Sequence, residues 1–312
     1  MTLWMVAALS GCQLTSHAVQ SSTMGLPSSS REMLKVLDAP GPLTVETVNS
    51  ADWQVPLSGL LNLNHEKARA AKLKDRSEPI SVFFHVVRHP TRGTFIVDTG
   101  VEKALRDAPE RSAFAGPVSW VMHLELLKVQ VPLADWVAQQ QRLDGVFLTH
   151  LHLDHVSGMP DVPHGTPIFS GPHKASGMAF HNIALRPAMD RAFAGQAPIS
   201  ELQFRPDPQG RFAGVVDVFG DGSFWAILVP GHTEGSLAFV ARTASGPVLM
   251  TGDTSHTVWG WENEVEPGSY TADAHRNQVA LKQLRKLIAE HPGVVVKLGH
   301  QILPENHKTA AR

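Results

Sequence analysis

At 312 residues the chain is long enough to bury a substantial core, and its length suits one large domain or two small ones. A net charge of −2 supplies no basic excess, so a broad nucleic-acid surface is not indicated. The single cysteine, Cys12, rules out intramolecular disulfides and leaves any metal site in the body of the chain to histidine and carboxylate.

In chain order, the apolar stretch Leu3–Leu9 leads into Leu9-Ser10-Gly11-Cys12. This resembles a bacterial lipoprotein signal, cut before a cysteine that then carries lipid. The stretch is far shorter than the roughly twenty residues a spanning helix needs. No Lys or Arg precedes it, whereas export signals normally begin with positive charge. The expectation is an exported, membrane-anchored lipoprotein, with a cytoplasmic enzyme as the alternative. Residues 13–32, Ser-rich with Gly25 and Pro27, then read as a polar tether, and residues 33–312 as a single domain.

Leu43–Val48 and Ser81–Val87 read as strands, and the turn residues His89-Pro90-Thr91-Arg92-Gly93 join the second to Thr94–Val97 as a hairpin. Leu57–Ser77 is expected to be an insertion with a short helix. Val101–Arg106 predicts a helix, and Pro132–Ala138 another with proline in its first turn. Val146–Leu148 predicts a strand ending at Thr149. Residues 160–212, rich in Pro and Gly, read as strand, loop and helix covering a site. Strands recur at 213–219, 223–229, 236–242 and 246–251. Ala272–Glu290 is the clearest helix, with Val279, Leu281, Leu284 and Leu287 apolar, and Val294–Leu298 forms a last aliphatic run.

The chemistry concentrates in His150-Leu151-His152-Leu153-Asp154-His155, directly after the strand ending at Thr149. Extended backbone points His150 and His152 the same way. Asp154 and His155 fall where the chain turns and can face a neighbouring position. Imidazole nitrogen and carboxylate oxygen are the donors that zinc and similar divalent metals prefer. Three further candidates each follow an aliphatic run and lie beside glycine: His232 in Pro230-Gly231-His232-Thr233, Asp253 in Thr251-Gly252-Asp253-Thr254, and His300 in Leu298-Gly299-His300-Gln301. Four strand ends would thus present metal-binding side chains along one sheet edge, and the spacing suggests two metals.

This ordered set, from Val97-Asp98-Thr99-Gly100 to His300, resembles the metallo-β-lactamase superfamily. The order of elements fits its α+β fold, a four-layer αβ/βα sandwich of two mixed β-sheets flanked by helices. The resemblance implies that His150, His152 and His232 bind one metal, that Asp154, His155 and His300 bind the second, and that Asp253 bridges them. Two divalent ions, zinc by expectation, are the implied cofactors. Asp98 would support the metal-binding loop through hydrogen bonds; a turn-capping role before Gly100 is the less favoured alternative. Class B1 and B2 β-lactamases place a Cys in the second site, which this chain lacks. Only residues 301–312 follow His300, too few for the helical domain of glyoxalase II enzymes, and flavodiiron proteins have Glu where His152 stands. Ribonuclease Z shares the ligands, though the low charge and the export-like N-terminus count against it.

In layout the chain is most similar to the N-acyl homoserine lactonase-like group. Those enzymes carry a Tyr three residues after the bridging Asp, where this chain has His256. His256 and Asp154 are therefore the candidate catalytic side chains, Asp154 passing a proton to the leaving group and His256 donating a hydrogen bond or moving a proton. Trp259 and Trp261 are candidates for a substrate pocket, and equally for packing; Tyr270 is a further pocket candidate for which packing is the favoured reading. His85, His89, His123, His173, His181 and His275 share no pattern and are read as ordinary.

The expected activity is metal-dependent hydrolysis by a metal-bound hydroxide, with a lactone or other carboxylic ester as substrate. Phosphoester or organophosphate hydrolysis is the main alternative. An iron-dependent sulfur dioxygenase and a non-catalytic binding lipoprotein represent other classes. The expected partner is a small molecule, with membrane attachment through Cys12.

Overall fold

The computed structural model describes residues 14–172 and 179–304, with the side chains of 179–184 left aside. The signal-like segment 1–12 with Cys12, His173, and the side chain of His181 lie outside the described residues.

Successive side chains on a strand face opposite ways, and here both faces are apolar. Phe95 and Val97 join one buried cluster while Ile96, between them, joins another. Val146 and Phe147 divide in the same way, as do Ile168 and Phe169. In the second sheet Phe224 and Ala226 face one cluster, and Trp225 and Ile227 a different one. Strands written like this need cover on both sides, and the resulting architecture is the expected four-layer sandwich.

One sheet has eight strands, in spatial order Val19–Ser21, Ile199–Glu201, Ile168–Ser170, Gly145–Phe147, Gly93–Val97, Ser77–His89, Thr44–Pro56 and Lys128–Val129. The other has six: Val295–Lys297, Gly246–Met250, Leu237–Thr243, Phe224–Leu228, Gly214–Asp217 and Leu26–Ser28. Both mix parallel and antiparallel pairs. Between the sheets, the Phe147 ring lies 5.1 Å from Phe169 on its own sheet and 5.3 Å from Phe224 and 5.7 Å from Phe239 on the other. Burying such side chains contributes about 1.5–3 kcal/mol each.

The outer face of the second sheet is covered by the helix Ala274–Glu290, which starts where Asp273 accepts a hydrogen bond from the Arg276 N–H. Ala280, Leu281, Leu284, Leu287 and Ile288 form its buried stripe. Val279, expected on that stripe, is 45% exposed because it sits one residue outside the three- and four-residue spacing. Ala188, Met189 and Ala192 of the helix Ala179–Ala192, with Phe114, Leu133 and Trp136, cover the first sheet.

Residues 13–32, expected to form a tether, are built into the fold across their described part. Val19–Ser21 pairs with Ile199–Glu201 at one sheet's edge, and Leu26–Ser28 with Gly214–Asp217 at the other's. The side chains of 19–21 are all exposed, and the strand is held by its backbone pairing with one further bond, from the Gln20 amide to the Ser200 hydroxyl at 3.1 Å. Pro27 is tolerated because the strand is an edge. The strand predicted at Leu43–Val48 runs on to Pro56 through a register shift between Asn49 and Ala51, where Ser50 is the extra residue of a β-bulge. Among the described residues no helix is long and apolar enough to cross a membrane.

Candidate metal centre

Each proposed ligand leaves a strand end. The strand Gly145–Phe147 runs through Leu148 and Thr149 to His150; His152 then begins a short helix, Leu153–Val156, that carries Asp154 and His155. His232 follows Phe224–Leu228, Asp253 sits in the turn Gly252–Thr254 after Gly246–Met250, and His300 follows Val295–Lys297. Gly299 is required beside it, because a Cβ there would collide with Asp253 Oδ1.

The structure brings these side chains together in two groups whose donor atoms lie within 4.8 Å of one another: His150, His152, His232 and Asp253, and Asp154, His155, Asp253 and His300. Asp253 belongs to both. In the first group His232 Nε2 is 3.1 Å from His150 Nε2 and 2.7 Å from His152 Nδ1. In the second, His300 Nε2 is 3.1 Å from Asp154 Oδ2 and 3.3 Å from Asp253 Oδ1. His152 and Asp154 are the partly exposed members, so the centre is reached from their side; the others are buried.

These residues fit a pair of divalent cations. Three imidazole nitrogens converge at separations that a cation between them would justify. His155 Nε2 and Asp253 Oδ1 are buried and make no hydrogen bond, as suits atoms that would coordinate a metal. In His150, His155, His232 and His300 the second ring nitrogen is held from behind, which fixes ring orientation. His155 Nδ1 donates to Asp98 Oδ2 at 2.8 Å, and His300 Nδ1 to the Ser81 carbonyl at 2.9 Å. His150 Nδ1 meets the Thr149 hydroxyl at 3.1 Å and His232 Nδ1 the Thr271 hydroxyl at 3.2 Å.

Electrostatics divide the two groups. Burial holds His150 and His232 well below the usual imidazole range and His152 down to about 4, so all three offer neutral lone pairs at pH 7. Burial opposes charge on His155 and His300 as well, but Asp253 with Asp98 and Asp154 outweighs it at His155, and Asp253 with Asp154 at His300. His155 is carried well above its ordinary value and His300 up to about 10. Burial likewise works against the carboxylates, yet the surrounding histidines hold Asp154 and Asp253 below the usual range.

Asp98 is buried, adopts φ +60°, and accepts from the Thr149 N–H at 2.8 Å as well as from His155. It thus ties the start of the histidine cluster to its end. Gly100, at φ +61°, completes this turn, and a Cβ there would strike the Ser50 hydroxyl.

His256 is buried, its Nδ1 donating to the Leu60 carbonyl at 3.0 Å and its Nε2 lying 3.0 Å from Asp253 Oδ2. It therefore faces the carboxylate shared by both groups. Trp261 does not line this cleft: the helix Val258–Asn263 turns it into the core beneath the second sheet, with Arg285 5.1 Å above its ring. Trp259 packs against the cluster of Leu57, Leu61 and Val265. Tyr270 is 42% exposed and lies against Gly59, where a Cβ would meet its ring. Residues that sequence reasoning missed are Thr149, Thr271, Ser81 and Leu60. Thr149 adjoins His150 and could have been suspected; Ser81 and Leu60 act through main-chain carbonyls, which carry no residue signature.

A model of the Metallo-beta-lactamase superfamily matches residues 78–300. The chain is 29% identical over 231 residues to the N-acyl homoserine lactonase AttM of Azorhizobium caulinodans, covering 71% of this chain and 82% of that one. To AttM of Rhizobium johnstonii it is 33% identical over 163 residues, 50% of this chain and 57% of the relative, so that match spans little more than half of the relative's length. A crystal structure of a quorum-quenching N-acyl homoserine lactone lactonase superposes with a TM-score of 0.59 at 18% identity, covering 86% of this chain and 96% of the other, and shares the fold.

Proposed function

Because the chain belongs to the metallo-beta-lactamase superfamily, we propose that it is a dinuclear metal-dependent hydrolase whose preferred substrate is a lactone or another carboxylic ester. One observation carries this reading: two four-donor groups meet at a single carboxylate, Asp253, which a purely structural zinc with its four closed ligands would not need. The similarity to N-acyl homoserine lactonases supports the ester class.

Divalent cations held by the two groups, zinc being the expected metal, would supply Lewis acidity, acidifying water and polarising the carbonyl under attack. The neutral His150, His152 and His232 serve that function without giving up protons first. Asp154 faces the open side and holds Oδ2 against His300, leaving its other oxygen to pass a proton to the leaving group. His256 donates its Nδ1–H to the Leu60 carbonyl and turns Nε2 to 3.0 Å from Asp253 Oδ2, the atom at which it can hold or pass a proton at the centre.

The test is a turnover screen of metal-loaded protein across N-acyl homoserine lactones, aryl esters, phosphotriesters and β-lactams. Lactones are expected to turn over fastest. A preference for phosphotriesters would move the assignment to phosphoester hydrolysis, and one iron per chain with oxygen consumption would replace hydrolysis by dioxygenase chemistry. We propose further that lipid on Cys12 anchors the protein to a membrane; an unlipidated, intact Met1 in protein from its host, shown by mass spectrometry, would dispose of that.

A further inference from the structure

We propose that Asp52 is a positioning residue for the second metal group, holding His300 in place through Ser81. This rests on the dinuclear reading above. His300 is clasped to Ser81 twice: its ring Nδ1 donates to the Ser81 carbonyl at 2.9 Å, and the Ser81 N–H donates to the His300 carbonyl at 3.0 Å. Wherever Ser81 sits, the ring follows. The Ser81 hydroxyl in turn donates to Asp52 Oδ1 at 3.2 Å.

Asp52 is itself pinned. The Asn49 amide donates to Oδ1 at 2.8 Å and the Gln130 amide to Oδ2 at 2.9 Å, so three side chains converge on this half-buried carboxylate. The β-bulge explains how it reaches Ser81. Asn49 pairs with Phe83, and an unbroken register would then place Ala51 opposite Ser81; the extra residue Ser50 shifts the pairing so that Asp52 takes that position. Ser50 is held inward by its own bonds: its hydroxyl donates to the Val131 carbonyl and accepts from the Val101 N–H, both at 2.9 Å. The bulge thus places a carboxylate behind one metal-facing histidine. His150 and His232 meet threonine hydroxyls instead, with no contact to Asp52. The network should therefore matter for one metal and spare the other.

The experiment is a stepwise metal titration of the metal-free full chain with Co(II), read by its visible spectrum and by chelator competition, with His300→Ala identifying the step that belongs to the second group. Asp52→Ala is expected to weaken that step about 10- to 100-fold, the usual cost of losing a partner behind a ligand, and to leave the other step unchanged. Asp52→Asn should recover most of the loss, because its amide oxygen still accepts from Ser81 while Gln130 can turn its own amide. Ser81→Ala removes only the hydroxyl link and should weaken the same step, which keeps the test decisive if Asp52→Ala does not fold. Equal weakening of both steps, or no change in either variant, overturns the proposal. A wild type that saturates at one metal overturns it together with the dinuclear reading; a wild type that binds two beside unaffected variants overturns the positioning role alone.

Discussion

Removing the ring of His256 should lower turnover on the order of 10²-fold, the scale for losing a positioned proton carrier, while both metals stay bound because His256 belongs to neither four-donor group. Steady-state kinetics beside metal analysis of His256→Ala checks this; full activity would reduce the histidine to packing under Leu60. Protons compete with metal at the second group. His300 is raised to about 10 and His155 well above its ordinary value, so at neutral pH both carry a proton that a cation must displace. Affinity at that group should rise with pH toward about 10, with proton release on binding. The first group, whose histidines are already neutral, should show little dependence between pH 6 and 8. Calorimetric titration in buffers of different ionisation enthalpy reads both; a second step independent of pH would contradict the assignment.

The turn Asp98–Gly100 links backbone geometry to the ligands, since Asp98 holds Thr149 and His155 while Gly100 packs on the Ser50 bulge. Gly100→Ala combines a left-handed conformation, costing about 1–2 kcal/mol, with a collision against the Ser50 hydroxyl. Thermal unfolding of the metal-free variant should show a loss of at least that size; an unchanged midpoint would mean that the turn relaxes freely. In the helix Ala274–Glu290, Leu284→Ala should cost about 2–5 kcal/mol, as for other fully buried leucines, whereas Val279→Ala on the exposed side should cost far less. The helix was legible from its apolar spacing, and the misplacement of Val279 shows the limit of that signal, one residue either side of the stripe. The bulge at Ser50 was not legible: Asn49 and Ser50 resemble an ordinary strand end, and only pairing with the neighbouring strand shows the chain continuing to Pro56.

At the scale of the molecule, two sheets bring four strand ends to one edge, and residues from position 98 to position 300 meet there. That convergence was legible because the donors are chemically conspicuous and follow aliphatic runs. Of the groups behind the site's side chains, Asp98 was legible, whereas the carbonyls at Leu60 and Ser81 were not, since a carbonyl is available to any residue type. Trp261 misled for the opposite reason: an aromatic near the metal loop in sequence turned into the core in space. The edge strands at 19–21 and 26–28 escaped notice because they contribute backbone and little apolar surface. The central claim is that Asp253 joins two metals in one site. Metal analysis with native mass spectrometry of the wild type and Asp253→Ala tests it most directly. The account predicts two divalent metals per wild-type chain and weakened binding at both positions in the variant; a wild type that saturates at one metal, or a variant that keeps both as tightly as before, would contradict it.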